Sequence, residues 1–306
     1  MNTKLKGVLF GIIAAVAYGT NPLFSLPLYA EGLSPDSVLF FRYVIGVVIL
    51  GVILLVKGES FKIKKKEILV LAAFGIMFAL SSLFLYQSFL YMNAGVASTI
   101  LFVYPVLVAV IMAVFFKEKA SWLTYSCIIL AMVGIFLLYR GDGETVLSTK
   151  GLILVAFSSL FYAIYIVAVN YSSVRTMPSG KLTFYALLFG SMVFIVRTKF
   201  MTELQTVPPT IYSWVNIFGI AFIPTIISLL FINISIKNIG PTYAAIIGVL
   251  EPVTALAIGI IVFNEPITIR IAGGAFLILI AVMLVVLSDN IIEKFEQRKA
   301  KANKTN

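Results

Sequence analysis

Apolar residues run along this chain in long blocks separated by short polar breaks. Each block holds about 20 residues, the length a helix needs to cross the roughly 30 Å hydrocarbon core of a bilayer. Ten such helices are predicted. The first five cover residues 7–24, 37–56, 68–92, 95–116 and 122–139. The second five cover residues 151–171, 181–196, 211–236, 240–266 and 267–287. Prolines are expected to break or bend them: Pro22 and Pro27 at the end of the first, Pro224 in the eighth. The first block follows Lys4 and Lys6 and contains Ala15-Val16-Ala17, so it also fits a cleavable signal peptide. Gly7, Gly11, Ala15 and Gly19 recur at every fourth residue, a close-packing face that favours a retained helix.

The ninth block contains the residue that the others are expected to surround. Glu251 is ionisable and stands near the middle of an apolar run. Pro252 has no N–H, so the carbonyl of Gly248 is expected to lose its helical partner. A carboxylate at that depth is costly to bury and points to function, facing a cavity or the interior of a bundle. The block has a twin at residues 91–118. Asn93-Ala94-Gly95 matches Asn238-Ile239-Gly240, Tyr104-Pro105-Val106 matches Glu251-Pro252-Val253, and Glu118 matches Glu265. This repeat divides the chain into a first unit at 1–140, a polar connection at 141–150, a second unit at 151–288 and a charged cytoplasmic tail at 289–306. Five crossings per unit put the two units in opposite orientations. The expected fold is an all-α integral membrane protein with ten transmembrane helices in two inverted five-helix repeats.

Charge sets the direction. With both termini inside, the inner segments hold seventeen lysines and arginines and the outer loops four. That asymmetry predicts a multi-pass protein of the cell (inner) membrane with both termini cytoplasmic. A content of 61% hydrophobic and 12% charged residues excludes an ordinary soluble domain. The net charge of +10 then reflects loop lysines, not a nucleic-acid surface. The chain has no histidine and one cysteine, Cys127, inside an apolar run. No metal site, cofactor or intrachain disulfide is expected. No phosphate loop and no paired carboxylates within the spans are present, which argues against an ATP-driven pump and against a membrane enzyme.

The ordered set of motifs resembles the drug/metabolite transporter superfamily in its EamA-type branch, over residues 5–288. The residues that carry the likeness are the duplicated helix prolines, the endings Phe115-Phe116-Lys117-Glu118 and Val262-Phe263-Asn264-Glu265, the run Leu250-Glu251-Pro252-Val253, and Phe41-Arg42. The resemblance implies a bundle with a central cavity, helices three, four, eight and nine near its centre. It implies export of metabolites, often amino acids, without fixing the substrate. The triose-phosphate and nucleotide-sugar branches are less similar, because no cluster of lysine and arginine lies within the spans.

The expected function is therefore a secondary transporter that exports a small metabolite, an amino acid or a related compound, by alternating access. The alternative is proton-coupled efflux of lipophilic cationic drugs, and a receptor or enzyme ranks third. The partners are a small-molecule substrate and the lipid bilayer, with protons and oligomeric state left open. Glu251 is the first candidate for substrate contact, holding a cationic amine or exchanging a proton. Tyr104, its repeat partner, offers a hydroxyl and an aromatic face. Ser158, Tyr162 and Tyr165 share one helical face, and Phe78, Ser82 and Tyr86 share another. These faces either line a cavity or bind helices together, and Asn21 belongs with them. Pro105 and Pro252 are expected as helix kinks, and Glu118 and Glu265 as gate or turn residues. Arg42, near the outer face, is expected to pair with Asp36, Glu31 or backbone carbonyls, the alternative being a substrate carboxylate.

Overall fold

The computed structural model describes residues 3–116, 126, 129–130, 132–134, 136–137, 148–266, 268–281 and 283–284. Among these, every regular element is helical. The helices are α1 (Thr3–Gly19), α2 (Asn21–Ala30), α3 (Pro35–Val56), α4 (Lys65–Ser88), α5 (Ala94–Leu101) and α6 (Tyr104–Phe115). After residue 148 follow α7 (Thr149–Tyr171), α8 (Ser179–Arg197), α9 (Ile211–Ala221), α10 (Ser228–Ile247), α11 (Leu250–Phe263) and α12 (Ile269–Ala281). A π-helical turn, Phe222–Ile227, joins α9 to α10. Six segments are long and apolar enough to cross a membrane, and Ala94–Val108, Leu250–Phe263 and Ile269–Ala281 are shorter apolar helices. These account for nine of the ten expected spans. The fifth, at 122–139, is described only at scattered positions, where Gly134 packs on Ile278 and the Gly274 carbonyl. The tail at 289–306, most of the 141–150 connection, Cys127 and Glu118 lie outside the described residues.

Local chemistry explains the helix starts. Ser34 accepts a hydrogen bond from Ser37 N and is followed by Pro35, whose missing N–H costs nothing in a first turn. Thr210 caps α9 in the same way through Ser213 N. The first span is longer than expected. Asn21 and Pro22 do not end it; they open α2 after a break at Thr20. The expected boundary near Lys237 also needs correcting, because helical residues continue from Ser228 to Ile247. The chain still reverses there. A straight helix would separate Ser235 from Ile247 by about 18 Å, yet both pack against Gly11.

The loops gather at two opposite ends of α3. At one end Arg197 forms a two-point ion pair with Asp36, and Gln205 donates to the Gly32 carbonyl. At the other, Lys181 Nζ donates to the Lys62 carbonyl and Tyr185 donates to the Phe61 carbonyl. Between them the small residues do the packing. The face of α1 that was read as a contact stripe lies on α10 and α11: Gly7 on Ile239, Gly11 on Ser235, Gly19 on Thr254 and the Glu251 carbonyl. A Cβ added at Gly75 of α4 would fall 2.7 Å from both the Ala186 carbonyl oxygen and the Gly190 nitrogen of α8. Backbone meets backbone there, so no side chain can move aside.

Gly75→Leu is therefore expected to separate α4 from α8 and to cost about 1–3 kcal/mol. Thermal unfolding of the purified protein in detergent measures this; a melting temperature equal to wild type would contradict the close contact.

Candidate functional site

Inside a bilayer every backbone carbonyl needs a partner within the protein. Pro105, Pro252 and Pro224 each deprive one carbonyl of its helical donor, and each is answered in a different way. Pro105 removes the N–H that a helix would direct at Leu101 O. The chain breaks at Phe102 and Val103, and Ser159 of α7 donates to Leu101 O at 3.0 Å. Pro252 does the same to Gly248 O. Here the expectation of a freed carbonyl is corrected, because the chain tightens and Glu251 N donates to Gly248 O at 2.9 Å. Pro252 thus lies in the first turn of α11, a favourable place for proline. Pro224 frees Ile220 O inside the π turn, and Thr225 Oγ1 donates to it at 2.8 Å.

The breaks before Tyr104 and before Glu251 fall at the same place in the two twin segments. α5 packs against α11, with Gly95 on Leu256. Around this junction lies a cluster of phenols. The Tyr104 and Tyr162 rings meet edge to face at 4.6 Å, and Tyr162 stacks on Tyr18 and on Tyr165 at 6.3 Å each. Phe78 closes the group against Tyr165 at 5.5 Å. Glu251 is 7% exposed and lies within electrostatic range of Tyr18, Tyr104 and Tyr162. Its carboxylate makes no hydrogen bond among the described residues. Neither do the hydroxyls of these three phenols or of Tyr165, and none of these oxygens is among the buried atoms sealed without a partner. The 390 Å³ cavity lined by Lys62, Lys64, Glu67 and Lys181 is elsewhere, at the loop end of the bundle.

Beside the phenols lies a residue that the sequence analysis placed wrongly. Arg42 is completely buried. It pairs with neither Asp36, which Arg197 holds, nor Glu31. Its Nε donates to Thr225 Oγ1 at 2.6 Å, and its Nη1 donates to Tyr86 Oη at 2.6 Å and to Asn21 Oδ1 at 3.1 Å. Tyr86 donates to Asn21 Oδ1 at 2.7 Å. Because Thr225 spends its proton on Ile220 O, its lone pairs are left to face the guanidinium. Asn21 and Tyr86, two of the candidates for substrate contact, are thus bound to Arg42.

The sequence pattern of the EamA-like transporter family matches residues 5–140 and 149–287. The chain belongs to the EamA-like transporter family. It is 24% identical over 263 residues to YxxF of Bacillus subtilis, an uncharacterized transporter, covering 83% of this chain and 81% of that one. An uncharacterized transporter of Archaeoglobus fulgidus is 25% identical over 269 residues, covering 87% and 92%. A solved crystal structure has the same fold, with a TM-score of 0.70 at 15% identity, covering 95% of this chain and 99% of the other.

In this EamA-like transporter the remaining candidates divide by their partners. Ser82 bonds to Tyr43 Oη at 2.9 Å, and Ser158 donates to the Ser81 carbonyl at 2.7 Å. Both join helices. Tyr104 and Tyr162 gather near Glu251, Tyr165 joins through its ring contact with Tyr162, and Tyr18, a residue the sequence analysis missed, belongs to the same cluster. Its signal was present, since it sits one position from Gly19 on the packed edge of α1. Glu265 stands outside the spans. It accepts from Ala94 N at 3.0 Å and so caps α5 across the bundle. Burial pushes its carboxyl above the usual range, and the backbone N–H bonds of Ala94 and Gly95 pull it back.

Thr225→Val removes both the donor to Ile220 O and the acceptor for Arg42 Nε. It is expected to cost about 1–3 kcal/mol of stability, whereas Thr225→Ser should stay near wild type. Denaturation of both variants in detergent tests this, and equal stability of the valine variant would refute the pairing.

Proposed function

We propose that this EamA-like transporter exports a small metabolite, an amino acid or a related compound, by alternating access around the interior bordered by Glu251, Tyr18, Tyr104, Tyr162 and Tyr165. The observation that carries this reading is the unpartnered carboxylate of Glu251 at the start of a broken helix, opposite the matching break before Tyr104. Discontinuous helices in corresponding positions of two repeats mark binding sites in many secondary transporters. The carboxylate supplies a counter-charge for an ammonium group, and the tyrosine faces supply a cation–π surface. The same wall also favours a second reading, efflux of lipophilic cations with Glu251 shared between proton and drug.

Counterflow in proteoliposomes separates the two. With labelled amino acids, the first reading expects exchange; with a quaternary ammonium dye, the second does. Glu251→Gln keeps size and hydrogen bonding and removes only charge and titration. It is expected to slow transport at least roughly tenfold with the fold intact. If a proton is exchanged at Glu251, the wild type has a pH-dependent rate that the glutamine variant lacks. If Glu251 only holds an amine, the variant weakens transport at every pH and the profile keeps its shape. A glutamine variant that transports like wild type would end the role of Glu251.

The inverted arrangement of the two repeats, with both termini cytoplasmic, belongs to the same proposal. A cysteine replacing Thr206 is expected to label with a membrane-impermeant reagent on whole cells, and one replacing Ser60 only after lysis. The opposite pattern would reverse the orientation.

A further inference from the structure

A guanidinium buried without an acidic partner is an unusual object within a membrane. Arg42 has three neutral acceptors, Thr225, Asn21 and Tyr86. They take up Nε and Nη1 and leave the positive charge uncompensated. The two ion pairs among the described residues are Arg197 with Asp36 and Lys199 with Glu203; neither involves Arg42. Its Nη2 is sealed from solvent and has no hydrogen-bond partner at all. The phenol of Tyr86 covers one side, 5.2 Å from the guanidinium carbon to the ring centre. The titratable groups around Arg42 are the phenols of Tyr18, Tyr29, Tyr43 and Tyr86. What the protein has built is a rigidly held cation with one free edge of two N–H groups.

We propose that this Nη2 edge of Arg42 binds the carboxylate of the transported compound. Resting on the transport reading above, the proposal names the group that the substrate must carry at its second pole. Tyr18 lies within electrostatic range of both Arg42 and Glu251. A compound with an amine and a carboxylate would compensate both. Arg42 is closed off in this conformation, and the closure is local. α2 begins after the helix break at Thr20 and is joined to α4 by the Tyr86 bond to Asn21 and by Tyr29 donating to the Tyr86 carbonyl at 3.2 Å. The proposal requires that parting these bonds uncover the free edge. A purely structural guanidinium would gain from an acceptor at Nη2, and Asn21, with its carbonyl oxygen already shared by two donors, supplies none there.

The test uses purified full-length protein and the common L-amino acids, each beside the amine that lacks its carboxylate and the acid that lacks its amine. Binding is read by calorimetry or thermal shift. In the wild type, a carboxylate-bearing member is expected to bind at least roughly tenfold more tightly than its amine-only partner. Arg42→Gln should abolish that preference and leave affinity for the amine-only partner within about twofold, while Arg42→Lys keeps part of it. Equal loss of both ligands in Arg42→Gln would mean a structural role and overturn the proposal. So would a wild type that prefers the amine, or one that binds no carboxylate in the panel. If Arg42→Gln does not fold, the wild-type preference and Arg42→Lys decide. The transport reading stands or falls separately, since amine counterflow that depends on Glu251 would survive the loss of any carboxylate preference.

Discussion

The interior of this protein is governed by the cost of an unpaired backbone carbonyl where water cannot reach. Proline creates that cost at Leu101, Gly248 and Ile220, and the three answers shape the centre of the molecule. At Leu101 a side chain from another helix, Ser159, supplies the donor and ties α7 to the broken segment. At Gly248 the backbone tightens and supplies its own. At Ile220 the neighbouring Thr225 does so, and in the process turns its lone pairs toward Arg42. Ser159 and Thr225 are held where they are because these carbonyls had to be satisfied.

That constraint links packing to chemistry. α5 and α6 are two short pieces, and the twin segment is likewise interrupted at Gly248 and Val249, before α11. The breaks bring Tyr104 and Glu251 to the start of helical segments, where their side chains face the gathered phenols. The rigid contacts lie away from the breaks, where Gly75 meets Gly190 and where α1 lies on α10. A transporter needs both kinds of region: stiff helix pairs that move as units, and interrupted helices between them that change shape around a ligand. The ion pair of Asp36 with Arg197 and the cap of Ala94 by Glu265 tie loop segments to the bundle.

The interior polar residues fall into those that bind protein and those that face space. Ser158 and Ser159 are sequence neighbours, yet one answers α4 through the Ser81 carbonyl and the other answers α5 through Leu101. Ser82 and Tyr86 share a face of α4, yet Ser82 pairs with Tyr43 and Tyr86 with Arg42. Tyr104, Tyr162 and Tyr165 present rings to one another and hydroxyls to the interior. Among the described residues Glu251 is the one acid buried in the interior.

Hydropathy alone determined that the chain lies in a membrane, how many spans it has, and that Glu251 is out of place in one of them. A helix crossing a bilayer must satisfy its own backbone, so its length and apolar character are local properties that can be read along the chain. The repeat of Tyr104-Pro105 with Glu251-Pro252 was legible for the same reason, since a missing N–H is a local property of the sequence. The partner of Arg42 was not legible. Asp36 was the nearest acid in sequence, but Arg197 reaches it from α8, and the guanidinium points instead to groups from α2, α4 and the π turn. Those three elements come from distant parts of the chain and meet only when the helices pack. Whether a buried polar residue joins helices or faces a ligand is decided by which neighbours arrive, and that is a property of the tertiary structure alone.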